Sequence, residues 1–337
     1  MRRRKKFGTQ ELGWRFVLLL AAIVGALVLL YMGGRWIEAR SRKPENRGDY
    51  QQRYEYDENI VINGATYRRR RDVKAILVMG VDRDSEAEVV GYRNGGQADF
   101  LQLIAIDSAN GRISRVPIDR DTMTPITVLG VLGNKSGIRT AQICLSHGFG
   151  NGGKQSCELT VEAVSNLMLG VTIDEYLSLN LDGISVLNDA VGGVTVTLED
   201  DLSAYDPQMV PGTTLTLQGE QAEFFVRSRA NVSTGTNEAR MKRQQTYIAS
   251  LTALLAEKIR EDQNRIGQIY DEIEPYLQTS MQRGDLINRV WAARDYAHEV
   301  REIDGMHAKG TDGFMEFHAE EESIEAIVLE LFYQKVE

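Results

Sequence analysis

The chain is poor in several residues from which active sites are often built: its 337 positions include two cysteines, four histidines and six prolines. Cys144 and Cys157, with no second ligand pair beside them, make a poor zinc site, because structural zinc takes four grouped thiolates or imidazoles. His147, His298, His307 and His318 are scattered, and none shares a motif with a nucleophile or a ligand pair. His147, in a glycine-rich loop, is the one most open to a role. Ser146 stands in LSHGFG without a glycine two residues before it, so the nucleophile elbow is missing. The GNGGK run lacks the following Ser/Thr and the earlier glycine of a phosphate-binding loop. A serine hydrolase and a P-loop kinase are therefore unsupported. There is no internal repeat, no long low-complexity tract and no proline-rich linker after residue 72.

A net basic surface is lacking too. The formal charge is −9, and residues 1–43 carry ten Lys/Arg against two acids, which leaves 29 basic and 46 acidic residues in the remainder, or −17. A domain this acidic is not a nucleic-acid binder, although charges beyond about 8 Å are screened and a local cationic site is still allowed.

One long uncharged run is present, FVLLLAAIVGALVLLYM from Phe16 to Met32. It follows Arg2 to Lys6 and Arg15, has no small-x-small cleavage site beside it and precedes Trp36. It predicts a single-pass anchor at residues 16–33 with a cytoplasmic tail at 1–15. Residues 34–72 then read as a juxtamembrane stalk whose Arg68 to Arg71 run is a solvated face, followed by an extracellular domain at 73–337. In that compartment a disulfide between Cys144 and Cys157 is possible, though spacing does not prove pairing.

Beyond residue 72, KAILVMGVD and ADFLQLIAID are continuous apolar runs that read as buried strands, with Asp82 at the end of one and Asp99 at the start of the other. Asn110-Gly111 marks a hairpin to RISRVPIDRD, which ends in Arg120 and Asp121. Residues 122–153 read as loop with a short helix near 141–145. Helical spacing follows at 158–169, a strand at IDEYLSLNL, a short helix with Asp182 as N-cap, and strands at GGVTVTLED and TTLTL. A helix continues from about Ala239 to Glu261, with helices at 285–299 and 320–335 and strands near 301–306 and 314–318. The pattern predicts one α/β domain, a mixed sheet with helices on both faces, preceded by one transmembrane helix.

The strongest local signal is FFVRSRANVSTGTNEARMKRQQ, Phe224 to Gln245, which places Arg227, Arg229, Arg240 and Arg243 around a small polar loop. Guanidinium groups held this close repel unless an anion sits between them, and the planar fork suits phosphate or carboxylate. A solvated, arginine-rich helix start is the plainer alternative. Asp82, Asp99 and Asp121 could hold a hard cation through oxygen, but strand-end aspartates are also common caps.

The order of ILVMGVD, ADFLQLIAID, VPIDRDTM, the run from Glu158 to Val194, LQGEQAEFFVRSR and ARMKRQQ, spanning residues 74–258, resembles the LytR–CpsA–Psr family of membrane-anchored cell-wall enzymes. The resemblance implies a phosphotransferase that moves a glycopolymer from a polyprenyl-pyrophosphate carrier to a peptidoglycan hydroxyl. It implies Mg2+ on Asp82 and Asp99, the pyrophosphate on Arg120, Arg227, Arg229 and Arg240 with support from Gln244, and no role for Arg243 beyond structure. Many members carry an acid three residues before the position of Arg240. Here that position is Asn237, so the base is left between neighbours such as Glu238 and Asp121. A polyprenyl-pyrophosphate hydrolase and a non-catalytic carrier-binding membrane protein stand as alternatives.

Overall fold

The computed structural model describes residues 59–336 apart from 84–86, 88, 89, 131, 230, 231, 233 and 234. The expected tail and membrane helix lie outside the described residues. Among the described residues, no helix is long and apolar enough to cross a membrane.

Folded structure begins earlier than Val73. Strands β1 (Asn59–Ile62) and β2 (Ala65–Arg69) are joined by Asn63-Gly64, both at positive φ, as a tight hairpin requires. They form a sheet with the C-terminal strand Tyr333–Lys335, so this part of the expected stalk belongs to the domain. Arg68 and Arg71 are exposed, but Arg69 and Arg70 are not part of a solvated face. Arg69 lies 4.8 Å over the Phe332 ring, and Arg70 bonds Asp72 at 2.6 Å and Asp107 at 2.7 Å.

The apolar runs form β3 (Val73–Val81) and β4 (Ala98–Asp107), followed by β5 (Arg112–Ile118). The stretch 122–153, read as loop, instead holds an antiparallel hairpin of β6 (Met123–Leu129) and β7 (Lys135–Gln142). The short helix lies a few residues beyond its expected place, as α1 (Leu145–Phe149). Then come α2 (Lys154–Leu167), β8 (Glu175–Asn180) and α3 (Asp182–Ala190). Asp182 lies in the first turn of α3 rather than capping it. Strands β9 (Thr195–Thr197) and β10 (Thr214–Thr216) pair before α4 (Glu220–Arg227) and α5 (Asn237–Glu261). After α6 (Arg265–Ile273) and β11 (Leu277–Thr279), α7 (Arg283–Ala293) stops short of the expected 299, because β12 (Ala297–Val300) pairs with β5. A hairpin of β13 (Gly305–Lys309) and β14 (Met315–Ala319) precedes α8 (Glu321–Phe332) and β15 (Tyr333–Lys335).

The central sheet is mixed, in the order β11-β8-β3-β4-β5-β12, with β8 parallel to β3 and β12 parallel to β5. One face carries Leu77, Leu101, Leu103 and Val116 against Val164 and Leu167 of α2 and Ile327 and Val328 of α8. On the other face Gln102 accepts from Gln245 of α5 at 3.2 Å. A second apolar cluster joins Val196, Phe225, Val226, Tyr247 and Leu251, so β9, α4 and α5 pack as a unit beside the sheet. The ends of β3, β4 and β5 meet α4 and α5 at the seam between these clusters.

Arg115 of β5 is 7% exposed, and its Nε and Nη1 find no hydrogen-bond partner among the described residues. Burial pushes its pKa down. Removing a buried, unpaired charge while keeping its volume stabilises. Arg115→Met is expected to raise stability by about 1–2 kcal/mol, visible as a rise in Tm of a few degrees.

Candidate anion-binding site

The turn after β5 builds the first half of the site. The Asp119 side chain accepts from the Asp121 amide at 2.8 Å, and its carbonyl accepts from the Thr122 amide at 3.0 Å and hydroxyl at 2.6 Å. An aspartate folded onto its own backbone fixes a tight turn, and this one presents Arg120. The Arg120 fork donates Nη1 to Asp99 and Nη2 to Gln97 Oε1, with Cys144 Sγ 3.4 Å from Nη2. Its buried Nε lies 3.4 Å from Asp121 Oδ1 but makes no hydrogen bond.

Asp99 owes its place to a bulge. Gly80 faces Phe100 while Val81 faces Ala98, so Asp99 is the extra residue of β4, and such residues are re-aimed beside functional sites. Its Oδ1 takes Arg120, and its Oδ2 takes Arg240 Nη1 at 3.0 Å. One carboxylate thus ties the sheet to α5.

Helix α5 starts at Thr236, whose hydroxyl accepts from the Ala239 amide at 3.3 Å. The start puts Asn237, Arg240 and Gln244 on the buried side at helical spacing. Arg240 is 2% exposed. Its Nη2 donates to Asn237 Oδ1 at 2.6 Å, while Asn237 Nδ2 donates to Asp119 Oδ1 at 2.7 Å. Burial, and repulsion from Arg229 and Arg120, depress the Arg240 pKa against the pull of Asp99. Its Nε is buried without an acceptor among the described residues.

Arg227 and Arg229 are exposed at the C-terminal end of α4. Arg227 donates to Glu223 at 2.9 Å and to Asp82 at 3.1 Å. Arg229 makes no ion pair among the described residues, yet its charge acts on both Asp121 and Arg240. Both arginines line a cleft of roughly 730 Å³ with Tyr205 and Phe224, whose rings lie 5.4 Å apart. Asp121 is buried, and burial plus Asp119 push its pKa up against the pull of Arg120, Arg229 and Arg240.

The structure therefore brings Arg120, Arg229 and Arg240 together with Asp99 and Asp121, with Arg227 and Asp82 paired beside them. It does not bring Glu238, which is exposed on the first turn of α5 with no bond to these arginines. Gln244 also differs from expectation: its amide donates to Val226 O at 3.1 Å and braces the end of α4. Arg243 does the same, donating to the Phe225 carbonyl at 2.8 Å, to Ser228 O and to Asp200. Helix C-termini leave carbonyls unpaired, and here the next helix supplies the donors.

Asp119, Gln97 and the part played by Asn237 were not singled out in the sequence. The first acid of VPIDRD and the turn it starts were signals for Asp119. His147 is 1% exposed, meets Gly96 O at 3.2 Å and has its pKa pushed down to about 4 by burial, so it supports a loop as a neutral ring. Cys144 and Cys157 are free, buried thiols. Burial pushes them up to about 11 and about 12.

Among the described residues no three or more His, Cys, Asp or Glu gather as a metal cage. A magnesium ion that completes its shell with water and phosphate needs only one or two carboxylates. Asp82 and Asp99 are the acids that could offer them, each already taking an arginine. The Asp82 amide bonds Gln97 O at 2.9 Å, so the two acids sit at neighbouring strand ends. Their side chains are 46% and 20% exposed.

A model of the LytR_cpsA_psr family matches residues 37–331. The polyisoprenyl-teichoic acid–peptidoglycan teichoic acid transferase TagU of Bacillus subtilis is 25% identical over 98% of this chain and 97% of its own length. The protein of the same name from Halalkalibacterium halodurans is 24% identical over 86% of this chain and 84% of its own. The crystal structure of TagV from B. subtilis superposes with a TM-score of 0.61 at 21% identity, over 78% of this chain and 96% of that one.

Proposed function

Because this chain belongs to the LytR–CpsA–Psr family, we propose that it is a phosphotransferase that moves a glycopolymer from a polyprenyl-pyrophosphate carrier to a peptidoglycan hydroxyl. The observation that carries this reading is the imbalance at the seam. Three guanidinium groups, Arg120, Arg229 and Arg240, act on two carboxylates, and two of the three keep a buried Nε without an acceptor. That leaves one guanidinium in excess, and Arg229, exposed on the cleft, has no ion pair among the described residues. A doubly esterified pyrophosphate, with about two negative charges, suits such a planar donor. The TagU relatives are named for transfer of teichoic acid to peptidoglycan, which supports the same class of donor and acceptor.

In this mechanism the acceptor hydroxyl attacks the phosphorus on the glycan side. A new P–O bond forms, the bridging P–O bond breaks, and polyprenyl phosphate leaves. Arg229, with Arg120 and Arg240 behind it, stabilises the charge that builds on the phosphate oxygens. Arg227 and Asp82 border the entry. A Mg2+ ion on Asp82 and Asp99 would neutralise the phosphate oxygens further. Asp121 takes the hydroxyl proton: it is buried against the arginines, and its raised pKa makes it a better base than an ordinary carboxylate. The apolar run at 16–33 would tether the domain to the membrane that carries the lipid donor, with the domain outside the cell.

The test supplies the protein with a polyprenyl-pyrophosphoryl oligosaccharide, Mg2+ and peptidoglycan fragments. A phosphodiester on the wall fragment is expected. Free phosphorylated glycan would make the protein a hydrolase, and tight lipid binding without turnover would make it a carrier-binding protein. A base works deprotonated, so activity rises with pH through its pKa, and a raised pKa moves that limb above the ordinary carboxylate range near 4. Asp121→Asn is expected to erase the limb and cost about 10²–10⁴ in turnover.

A further inference from the structure

We propose that His307, reaching in from the C-terminal hairpin, is a positioning residue that sets the pose of Arg240 at the anion site, acting through Asp119 and Asn237. His307 lies 188 residues from Asp119 in sequence, yet its Nε2 meets Asp119 Oδ2 at 2.9 Å. Asp119 is 6% exposed, Asn237 9% and Arg240 2%, so the contacts beyond His307 are shut off from water. The Asp119 carboxylate takes three donors: the Asp121 amide, Asn237 Nδ2 and His307.

The direction of the relay comes from the amide of Asn237. A carboxamide offers oxygen on one side and N–H on the other. With Asp119 demanding the N–H side, Oδ1 must face Arg240, which it does at 2.6 Å. If His307 is removed, Asp119 Oδ2 becomes a buried acceptor without a donor, a costly state that favours rotation of the carboxylate. Asn237 then loses the partner that orients it, and Arg240 loses the acceptor that aims its Nη2.

The hairpin is clamped over this turn rather than resting near it. The Phe317 amide donates to Asp121 O at 2.8 Å, Gln142 Nε2 donates to Met315 O at 2.6 Å, and Thr122 bridges Phe317. The Phe317 ring holds the imidazole at a centroid distance of 4.8 Å. The ring is thus fixed from one side by an aromatic and from the other by a carboxylate. Such fixing is what a residue needs to position another.

The activity arm of the test rests on the transferase reading, whereas the binding arm does not. Titration of the full chain with inorganic pyrophosphate, read by calorimetry, is run on the parent, His307→Leu, His307→Gln, Arg240→Ala and the double variant His307→Leu/Arg240→Ala. His307→Leu is expected to weaken pyrophosphate binding about tenfold, a coupling of ordinary size for residues in one network. His307→Gln, which keeps an N–H donor, recovers most of the loss. In the Arg240→Ala background His307→Leu costs nothing further. In the transfer assay the loss falls on kcat more than on KM. Should His307→Leu fail to fold, His307→Asn, too short to reach Asp119, takes its place with the same expectation. Equal impairment by Leu and Gln would overturn the proposal, as would unchanged affinity or full additivity with Arg240→Ala. Intact coupling without any transfer would instead sink the transferase reading and leave this one standing.

Discussion

Asp99→Asn is expected to destroy transfer and to lower the melting temperature together. The carboxylate receives Arg120 on one oxygen and Arg240 on the other, and the two arginine side chains are 12% and 2% exposed. Its neutral amide can accept on one side only, so one guanidinium loses its counter-charge in a site that water scarcely reaches. Breaking a buried ion pair from one side costs about 3–5 kcal/mol. The lower figure applies here, because the Asp99 side chain is 20% exposed. For a domain of this size, about 3 kcal/mol is a fall in Tm of roughly 6–12 °C. Turnover is expected to fall at least 10²–10³-fold, the cost of misplacing one preorganised charge donor. Asp99→Glu is not expected to rescue either property, since the bulge sets the reach of this residue. Inorganic pyrophosphate should return part of the lost stability, because an anion that binds only the folded state adds RT ln(1 + [L]/Kd). An unchanged Tm in Asp99→Asn would show that the arginines do not depend on this carboxylate.

The contrast between Asp99 and Glu238 shows where sequence reasoning stopped. A continuous apolar run followed by an acid is legible, because a buried strand must be apolar and must end. That placed Asp82, Asp99 and Arg120 at strand ends, and the structure keeps them there. Helical spacing from about Ala239 was equally legible, but α5 begins two residues earlier, at Asn237, and that first turn puts Arg240 and Glu238 on two sides of the helix. Of the two acids weighed for the missing one, Glu238 is only a neighbour of Asn237 in sequence, whereas the acid bonded to the Asn237 amide in space is Asp119. Nothing local announces His307, which is delivered by a hairpin folded back from the C-terminal region. The β6–β7 hairpin was missed for a different reason. Lys135, Gly137, Arg139 and Thr140 of β7 are exposed, so the strand lacks an apolar stripe and reads as loop. Pairing with β6, not burial, makes it a strand.

Arg229→Ala is expected to show the opposite signature to Asp99→Asn: a large functional loss with stability unchanged. Arg229 is exposed, borders the cleft and has no ion pair among the described residues. Truncating an exposed side chain without partners shifts stability by no more than about 0.5 kcal/mol. Its removal should even ease the repulsion that depresses Arg240. If Arg229 closes on the phosphate as charge builds there, kcat/KM is expected to fall about 10²–10³-fold. Arg229→Lys keeps the charge but loses the planar fork, and so should lie between parent and alanine. Arg227→Ala supplies the control from the same cleft. Arg227 already divides its donors between Glu223 and Asp82, so its loss should be milder than that of Arg229. Equal losses at the two positions would mean that the cleft attracts its substrate by charge alone. A fall in Tm for Arg229→Ala would instead assign that arginine to the fold.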